Sequence, residues 1–281
     1  MMKSALTVAA IAVSGLMAGA ASAADMAVKA RPVPAPVPVF SWSGCYVGGN
    51  AGYSRAEVRS DGTPNAIFAG LSPVGTAAIM TSASAAKVTP DGVTAGLGIG
   101  CNYQRGIFVI GAEGDINYSD LGAQQIRGPF ANAAPVVPYT WEERFHSNWF
   151  ATARARAGVV VAERSLLYVT GGAAFAEFNW LKALDFPGFT GFRYQASASD
   201  SRLGWVVGAG WEYAFNNNWS AKVEYLHMDF GTSSGTAPTP PAPAAGPAAG
   251  AAWSISNNFR EDVVRLGINY RFGGSAIVAK Y

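Results

Sequence analysis

The sequence predicts an all-β protein, an eight-stranded antiparallel up-and-down transmembrane β-barrel. Residues 263–272 place Val264, Leu266, Ile268, Tyr270 and Phe272 on one face at a period of two, and Arg265, Gly267, Asn269 and Arg271 on the other. Such a strand, with aromatics at its end, suits a soluble sandwich with the apolar face inward or a bilayer-spanning barrel with that face outward. The spacing of the remaining strands decides between the two. Their connections run long, short, long, short, long, short, long, the order of a chain that starts in the periplasm with short periplasmic turns and long external loops. A sandwich has no reason for that order. Only 14% of the 281 residues are charged and 33 are glycine, yet no apolar run after the N-terminus is long enough for a spanning helix. A membrane protein of this sequence crosses with strands.

The chain opens with Lys3, an apolar stretch over residues 5–20 and the small residues Ala21-Ser22-Ala23, so residues 1–23 read as a secretory signal peptide cleaved after Ala23. No cysteine follows that site, which argues against a lipoprotein anchor. Removing Lys3 takes the 20 Lys and Arg to 19 against 18 Asp and Glu, a balance that gives no case for nucleic acid. The two histidines, His146 and His227, and the two cysteines, Cys45 and Cys101, lack zinc spacing, so neither a metal site nor a cofactor is expected.

Residues 24–40 alternate prolines in a polyproline-like leader ahead of the barrel, which spans 41–272. The first strand covers 42–55, rich in glycine, which lets a curved wall accommodate large lumen side chains. Residues 56–90 read as a long loop of Ser, Thr, Ala, Pro and Gly. The second strand, 91–104, contains Gly96-Leu97-Gly98-Ile99-Gly100, a faint likeness to a dinucleotide loop, but no amphipathic helix follows it. A tight turn at 104–106 leads to the third strand, 107–119, and a second long loop, 120–144, to the fourth, 146–161. A turn at 162–165 leads to the fifth strand, 166–180. A loop over 181–201, the sixth strand over 202–215, the Asn216-Asn217-Asn218 turn and the seventh strand over 219–231 follow. The low-complexity loop 232–258 precedes the last strand, and 273–281 form a tail. Eight strands enclose an interior just wide enough for side chains to fill.

That interior is charged. Glu113, Asp115 and Asn117 lie opposite Ile110, Ala112 and Ile116, and Arg154 and Arg156 lie opposite Ala153, Ala155 and Ala157, while Glu212, Lys222, Glu224 and Arg265 fall on the inward faces of later strands. Paired carboxylates can act as general acid and base, but arginines stand beside these and no nucleophile spacing accompanies them, so a structural ion network is expected. His146 beside Ser147 and His227 near Asp229 are the candidates for a histidine base, and neither sits in a nucleophile motif. Trp42, Tyr103, Phe108, Trp211, Phe215 and Trp219 gather at strand ends as interface girdles rather than as a stacking groove. Cys45 and Cys101 both fall on outward faces near ends that antiparallel neighbours bring together. They either form a disulfide or stay as two lipid-facing thiols, and a one-residue slip would turn one sulfur into the lumen.

The segments WSGCYVGGNAGY at 42–53, GAEGDINY at 111–118, YVTGG at 168–172 and NWSAKVEYL at 218–226 lie in order on these strands. Together they resemble the outer membrane immunogenic protein (porin-like) family of Gram-negative bacteria, over nearly all of the chain beyond residue 23. The resemblance implies a small barrel similar to the OmpA membrane domain and OmpX, exported to the cell outer membrane, with outer-membrane lipid and the barrel-assembly machinery as partners. It implies a structural and interfacial surface role without catalysis; the alternatives are a passive diffusion porin, and a rim-site lipid-modifying enzyme or haem-binding surface protein. The family usually carries aromatics where Cys45 and Cys101 stand. Its terminal Phe, the assembly signal, corresponds here to Phe272 after Tyr270, but nine further residues end at Tyr281, so either aromatic can close the signal. What the external loops bind is left open by the residues.

Overall fold

The computed structural model describes residues 40–66, 79, 82, 87–131, 138–188, 193–237 and 252–272. The expected signal peptide, the leader up to residue 39 and the tail with Tyr281 lie outside them. The described residues form nine antiparallel strands: β1 (Gly44–Pro64), β2 (Lys87–Val88), β3 (Asp91–Arg105), β4 (Phe108–Ala131), β5 (Pro138–Ala162), β6 (Ser165–Asp185), β7 (Arg193–Ala214), β8 (Trp219–Ala237) and β9 (Trp253–Arg271). The long strands pair in chain order from β1 to β9, and β9 pairs back onto β1, closing a ring of eight. The two-residue β2 is a stub on β1, through Val58↔Val88 and Arg59↔Lys87. Ring closure leaves no unpaired edge toward the turn end, while beyond Trp205↔Asp229 the β7 and β8 extensions pair only with β6 and β9. Three tight turns mark one end: Gly106 at a φ of 62°, the 163–164 turn, and 215–218, where Asn216 Oδ1 accepts from the N–H of Asn218 and of Trp219 at 2.9 Å each.

The other end differs from the expected layout. The described residues of the expected long loops at 56–90, 120–144, 181–201 and 232–258 are largely strand, because pairing continues well past the expected bounds. β1 and β9 stay in register from Tyr46↔Arg271 out to Pro64↔Trp253. Alternation holds these extensions too, but with small residues on both faces. In β7, Tyr194 and Ala196 are buried while Gln195, Ser197 and Ser199 are exposed, a pattern whose serines resemble loop composition.

Which face is solvated is settled by the neighbours Arg265 and Leu266: the arginine is 1% exposed and the leucine 67%. A soluble sandwich buries the leucine. The same inversion runs round the ring, with Leu97, Ile99, Ile110, Ile116, Val169 and Leu203 outward. Together they form an apolar belt over residues 47–53, 93–103, 108–118, 149–161, 167–175, 203–213, 219–225 and 264–272.

Of the expected girdle aromatics, Tyr103, Phe108, Trp211, Phe215 and Trp219 face outward, and Trp42 does not: it is fully buried in the turn-end mouth. It stands ahead of β1, where strand alternation does not govern, and Gly44, at a φ of 129°, turns the chain between it and the wall. Gln104 Oε1 accepts from Trp42 N–H at 2.7 Å, and Ser43 Oγ accepts from Gln104 N–H at 2.9 Å. Glycine makes room at two further places. A Cβ on Gly100 would strike the Tyr46 ring, and one on Gly210 the Tyr168 ring.

Cys45 and Cys101 stand directly opposite one another in the β1–β3 register and are joined by a disulfide, with Cα atoms 3.9 Å apart. Both face outward, so the bond lies on the wall rather than in the lumen. It closes a loop across a sequence separation of 56, worth roughly 4 kcal/mol of chain entropy in the unfolded state. Mass spectrometry of unreduced, alkylated protein is expected to find the two cysteine peptides linked, and reduction is expected to lower the midpoint of denaturant unfolding. Alkylated thiols at both positions would show that the bond does not form in the cell.

Candidate functional site

The lumen is built from strand alternation. Cross-strand pairing sets Glu113 opposite Arg154, Glu212 opposite Lys222 and Glu224 opposite Arg265 on the inward faces of β4–β5, β7–β8 and β8–β9. Ion pairs between adjacent strands are joined by others that span the barrel. Arg154 bonds Glu113 and Asp115 at 2.6 Å each and reaches Glu224 on the far wall at 3.0 Å. Arg265 bonds Glu224 at 2.6 Å and Asp115 at 3.0 Å, Lys222 bonds Glu113 at 2.6 Å, and Arg156 pairs with Glu212. All eight expected lumen residues thus meet in one network of four acids and four bases, each at most 7% exposed.

Neutral groups occupy the remaining lone pairs. Thr152 donates to Asp115 at 2.8 Å, Ser220 and Asn269 to Glu212 at 2.6 and 2.9 Å, and Tyr168 to Glu224 at 3.0 Å. Tyr46 donates to Glu113, and Arg156 lies 3.6 Å over the Tyr168 ring. Removing charges from water costs several kcal/mol each, which only matched partners offset. The sequence marks the eight charges but not these two tyrosines, whose inward positions are visible only in the alternation of 46–52 and 166–172.

Two apolar layers close the network above and below. At the turn end Trp42, Val109, Leu166 and Ala214 pack together, and Arg271 sits 4.8 Å over the Trp42 ring with Nη1 on Ser41 O at 2.7 Å. At the long-strand end Trp141 and Trp253 pack at 4.6 Å, Phe178 stacks on Phe259 at 4.8 Å, and Phe145 and Phe230 flank them. Within this layer Glu143 bonds Lys182 at 2.9 Å and Arg127 at 3.1 Å. The composition of 138–145 and 253–259 carries the signal, in Tyr139, Trp141, Phe145, Trp253, Ile255 and Phe259 at alternate positions.

Comparison with known proteins agrees with this architecture. The model of the outer membrane protein beta-barrel domain family matches residues 8–272. The chain belongs to that family. It is 30% identical over 269 residues to the 31 kDa outer-membrane immunogenic protein of Brucella melitensis, covering 92% of this chain and 97% of that one. It is 26% identical over 259 residues to the 25 kDa outer-membrane immunogenic protein of Brucella abortus, covering 90% and 91%. Among solved structures, the outer membrane protein OprG from Pseudomonas aeruginosa is similar at a TM-score of 0.41 and 12% identity, covering 83% of this chain and 98% of that one.

This outer-membrane barrel has its short turns at one rim and its long strands projecting from the other. The candidate bases both lie on the outer wall. His146 is exposed while Ser147 beside it is buried and donates to Glu177 O at 2.9 Å, so the two point to opposite faces. His227 Nδ1 lies 2.8 Å from Asp262, and Asp229, its expected neighbour, instead bonds Arg260 at 3.0 Å, because alternate residues of one strand stand farther apart than cross-strand partners. Tyr270 and Phe272 are outward at the turn-end rim, their rings 5.3 Å apart; Tyr281 lies outside the described residues.

Glu261 sits in the lumen just outside the belt, fully buried, with the Ser54 hydroxyl on one carboxyl oxygen and no partner among the described residues on the other. Burial pushes its carboxyl up to about 7, against the opposing Ser54 hydrogen bond. The unfolded chain releases this proton near the ordinary glutamate value of about 4.3 while the folded barrel holds it up to about 7. Stability contributed by Glu261 is thus full below that lower value, falls as pH rises through the window and is lost above it, a swing of about 4 kcal/mol. Glu261→Gln is expected to flatten the unfolding midpoint between pH 5 and pH 8 and to raise it at pH 8. Within the network, Arg154→Met removes the cation that Glu113, Asp115 and Glu224 share, leaving Lys222 and Arg265 to balance all three, and is expected to cost about 3–5 kcal/mol in denaturant unfolding. A loss below about 1 kcal/mol would mean that water enters and solvates those acids.

Proposed function

We propose that the protein is a closed, non-catalytic wall element of the outer membrane that holds its external loops on a rigid stalk above the lipid surface. The observation that carries this reading is the continuous filling of the lumen: Trp42 in the periplasmic mouth, the balanced ion network at the belt and the Trp141–Trp253 layer outside. A conducting pore needs a wet path, and a network that pairs four acids with four bases and spans the chord of the barrel leaves none of those eight charges free to select ions. Its partners in this reading are outer-membrane lipid around the belt and the barrel-assembly machinery, which reads the aromatic end at Tyr270 and Phe272. The external strands continue eleven residues beyond Val264 to Trp253, a projection of about 25 Å at ordinary strand rise and tilt.

Purified monomer reconstituted into planar bilayers is expected to give no sustained open-channel conductance, with its unboiled and boiled gel mobilities reporting the folded barrel in the same preparation. Steady single-channel steps from heat-modifiable monomer would replace this reading with a diffusion pore.

A further inference from the structure

We infer that the outer wall of β4–β7 carries a binding site for the saccharide head of an outer-leaflet glycolipid. The pairing register places Gly122, His146, Asn179 and Ser199 in one cross-strand row, and Gln124, Arg144, Leu181 and Ser197 in the next row outward. These two rows line an open groove of about 710 Å³. A barrel wall is ordinarily convex. Here the register shifts between Tyr118 and Leu121 in β4 and between His146 and Phe150 in β5, and each such irregularity bends its strand just at or below the groove. Glycine and serine form its floor while arginine, glutamine and histidine stand up from it.

Its height identifies the occupant. The Trp149 and Phe175 rings, 5.5 Å apart, lie at the outer edge of the belt, and Asn179 is four residues farther along β6, about 10 Å higher. The groove is therefore continuous with the lipid-facing surface, at the depth of a lipid's head rather than of its acyl chains. A molecule with its chains against Val169 and Phe175 sets its polar head here.

Its charge identifies which part of the head it takes. Arg144 is the cation, but Glu142 accepts from its Nε and Nη2 at 2.6 Å each, and the carboxylate of Glu177 accepts from Ser199 Oγ at 3.1 Å. A phosphate would face both acids. Hydroxyls suit the lining, because Asn179 offers a donor and an acceptor, Gln124 keeps its carbonyl and a second amide hydrogen beyond its 3.4 Å contact with Glu142, Ser197 adds both in one atom and Ser199 keeps its acceptor. The saccharide, not its phosphates, is the recognised chemistry. The inference rests on the outer-membrane placement and is independent of whether the lumen is closed.

The test uses the full mature chain in bilayer nanodiscs, loaded with a glycolipid that bears its inner saccharides or with the same lipid truncated to its acylated phosphorylated base. Native mass spectrometry counts lipid retained after exchange into detergent. The wild type is expected to retain the saccharide-bearing lipid at least tenfold better than the truncated one. The Gln124→Ala/Asn179→Ala double variant is expected to lose that preference, and Ser234→Ala/Ser256→Ala on the β8–β9 wall to keep it. Equal retention of the two lipids by the wild type, an unchanged preference in the groove variant, or equal loss in both variants would each overturn the site. Heat-modifiable mobility of every variant separates a lost site from a lost barrel, and free saccharide competing as well as the lipid would overturn the membrane-anchored assignment.

Discussion

A closed sheet in a bilayer has hydrocarbon on its outside, so the polar half of every alternating strand must turn inward, into a space that eight strands make too narrow for bulk water. Everything else in this barrel follows from satisfying the charges trapped there. Each of Glu113, Asp115, Glu212 and Glu224 meets a cation from another strand, and Arg154 and Arg265 join β4, β5, β8 and β9 through shared carboxylates. A one-residue slip between any of these strands would put its charge into lipid and leave a partner unpaired. The network thus selects the register as well as filling the space.

Inward charge also has a reason that the folded state alone does not show. A belt strand apolar on both faces would lengthen the apolar runs toward those that arrest as spanning helices at the first membrane the chain crosses. Alternation keeps the mean hydropathy at +0.16 with half of all residues hydrophobic, so the chain can pass that membrane and expose its apolar face only once the ring closes. The glycines at 100 and 210 serve the same interior, since Tyr46 and Tyr168 reach the acids only across positions that lack a Cβ.

The faces of the belt strands were legible in the sequence because a period of two survives any registration, and the eight lumen charges fell on the correct face for that reason. Their partners were not, since Arg154 and Glu224 lie 70 residues apart on walls that only closure brings together. Strand ends were misread where Ser and Ala dominate the alternation, as in 193–201, because propensity there argues for loop and the continuing ladder overrides it. Trp42 was misplaced for a different reason. It precedes the alternation and is drawn into the mouth by burial against Leu166 and by Arg271, neither of which is near it in sequence.

The membrane boundary is written on both faces of β9 at once. Outward residues run Ser254, Ser256, Asn258, Arg260 and Asp262 and then change to Val264, Leu266, Ile268 and Tyr270; inward residues run Trp253, Ile255, Asn257 and Phe259 and then reach Arg265, Asn269 and Arg271. Outside the bilayer the wall meets water, so the ordinary rule returns and the apolar face turns in to make an aromatic core; inside it the rule inverts. Glu261 and Val263 stand where the two regimes meet, the acid one step on the apolar side and the valine one step before the first arginine. That position accounts for the half-satisfied carboxyl: an acid placed one lumen layer deeper would join Arg265, whereas at the crossover it has the apolar layer beside it and, among the described residues, only the Ser54 hydroxyl for a partner.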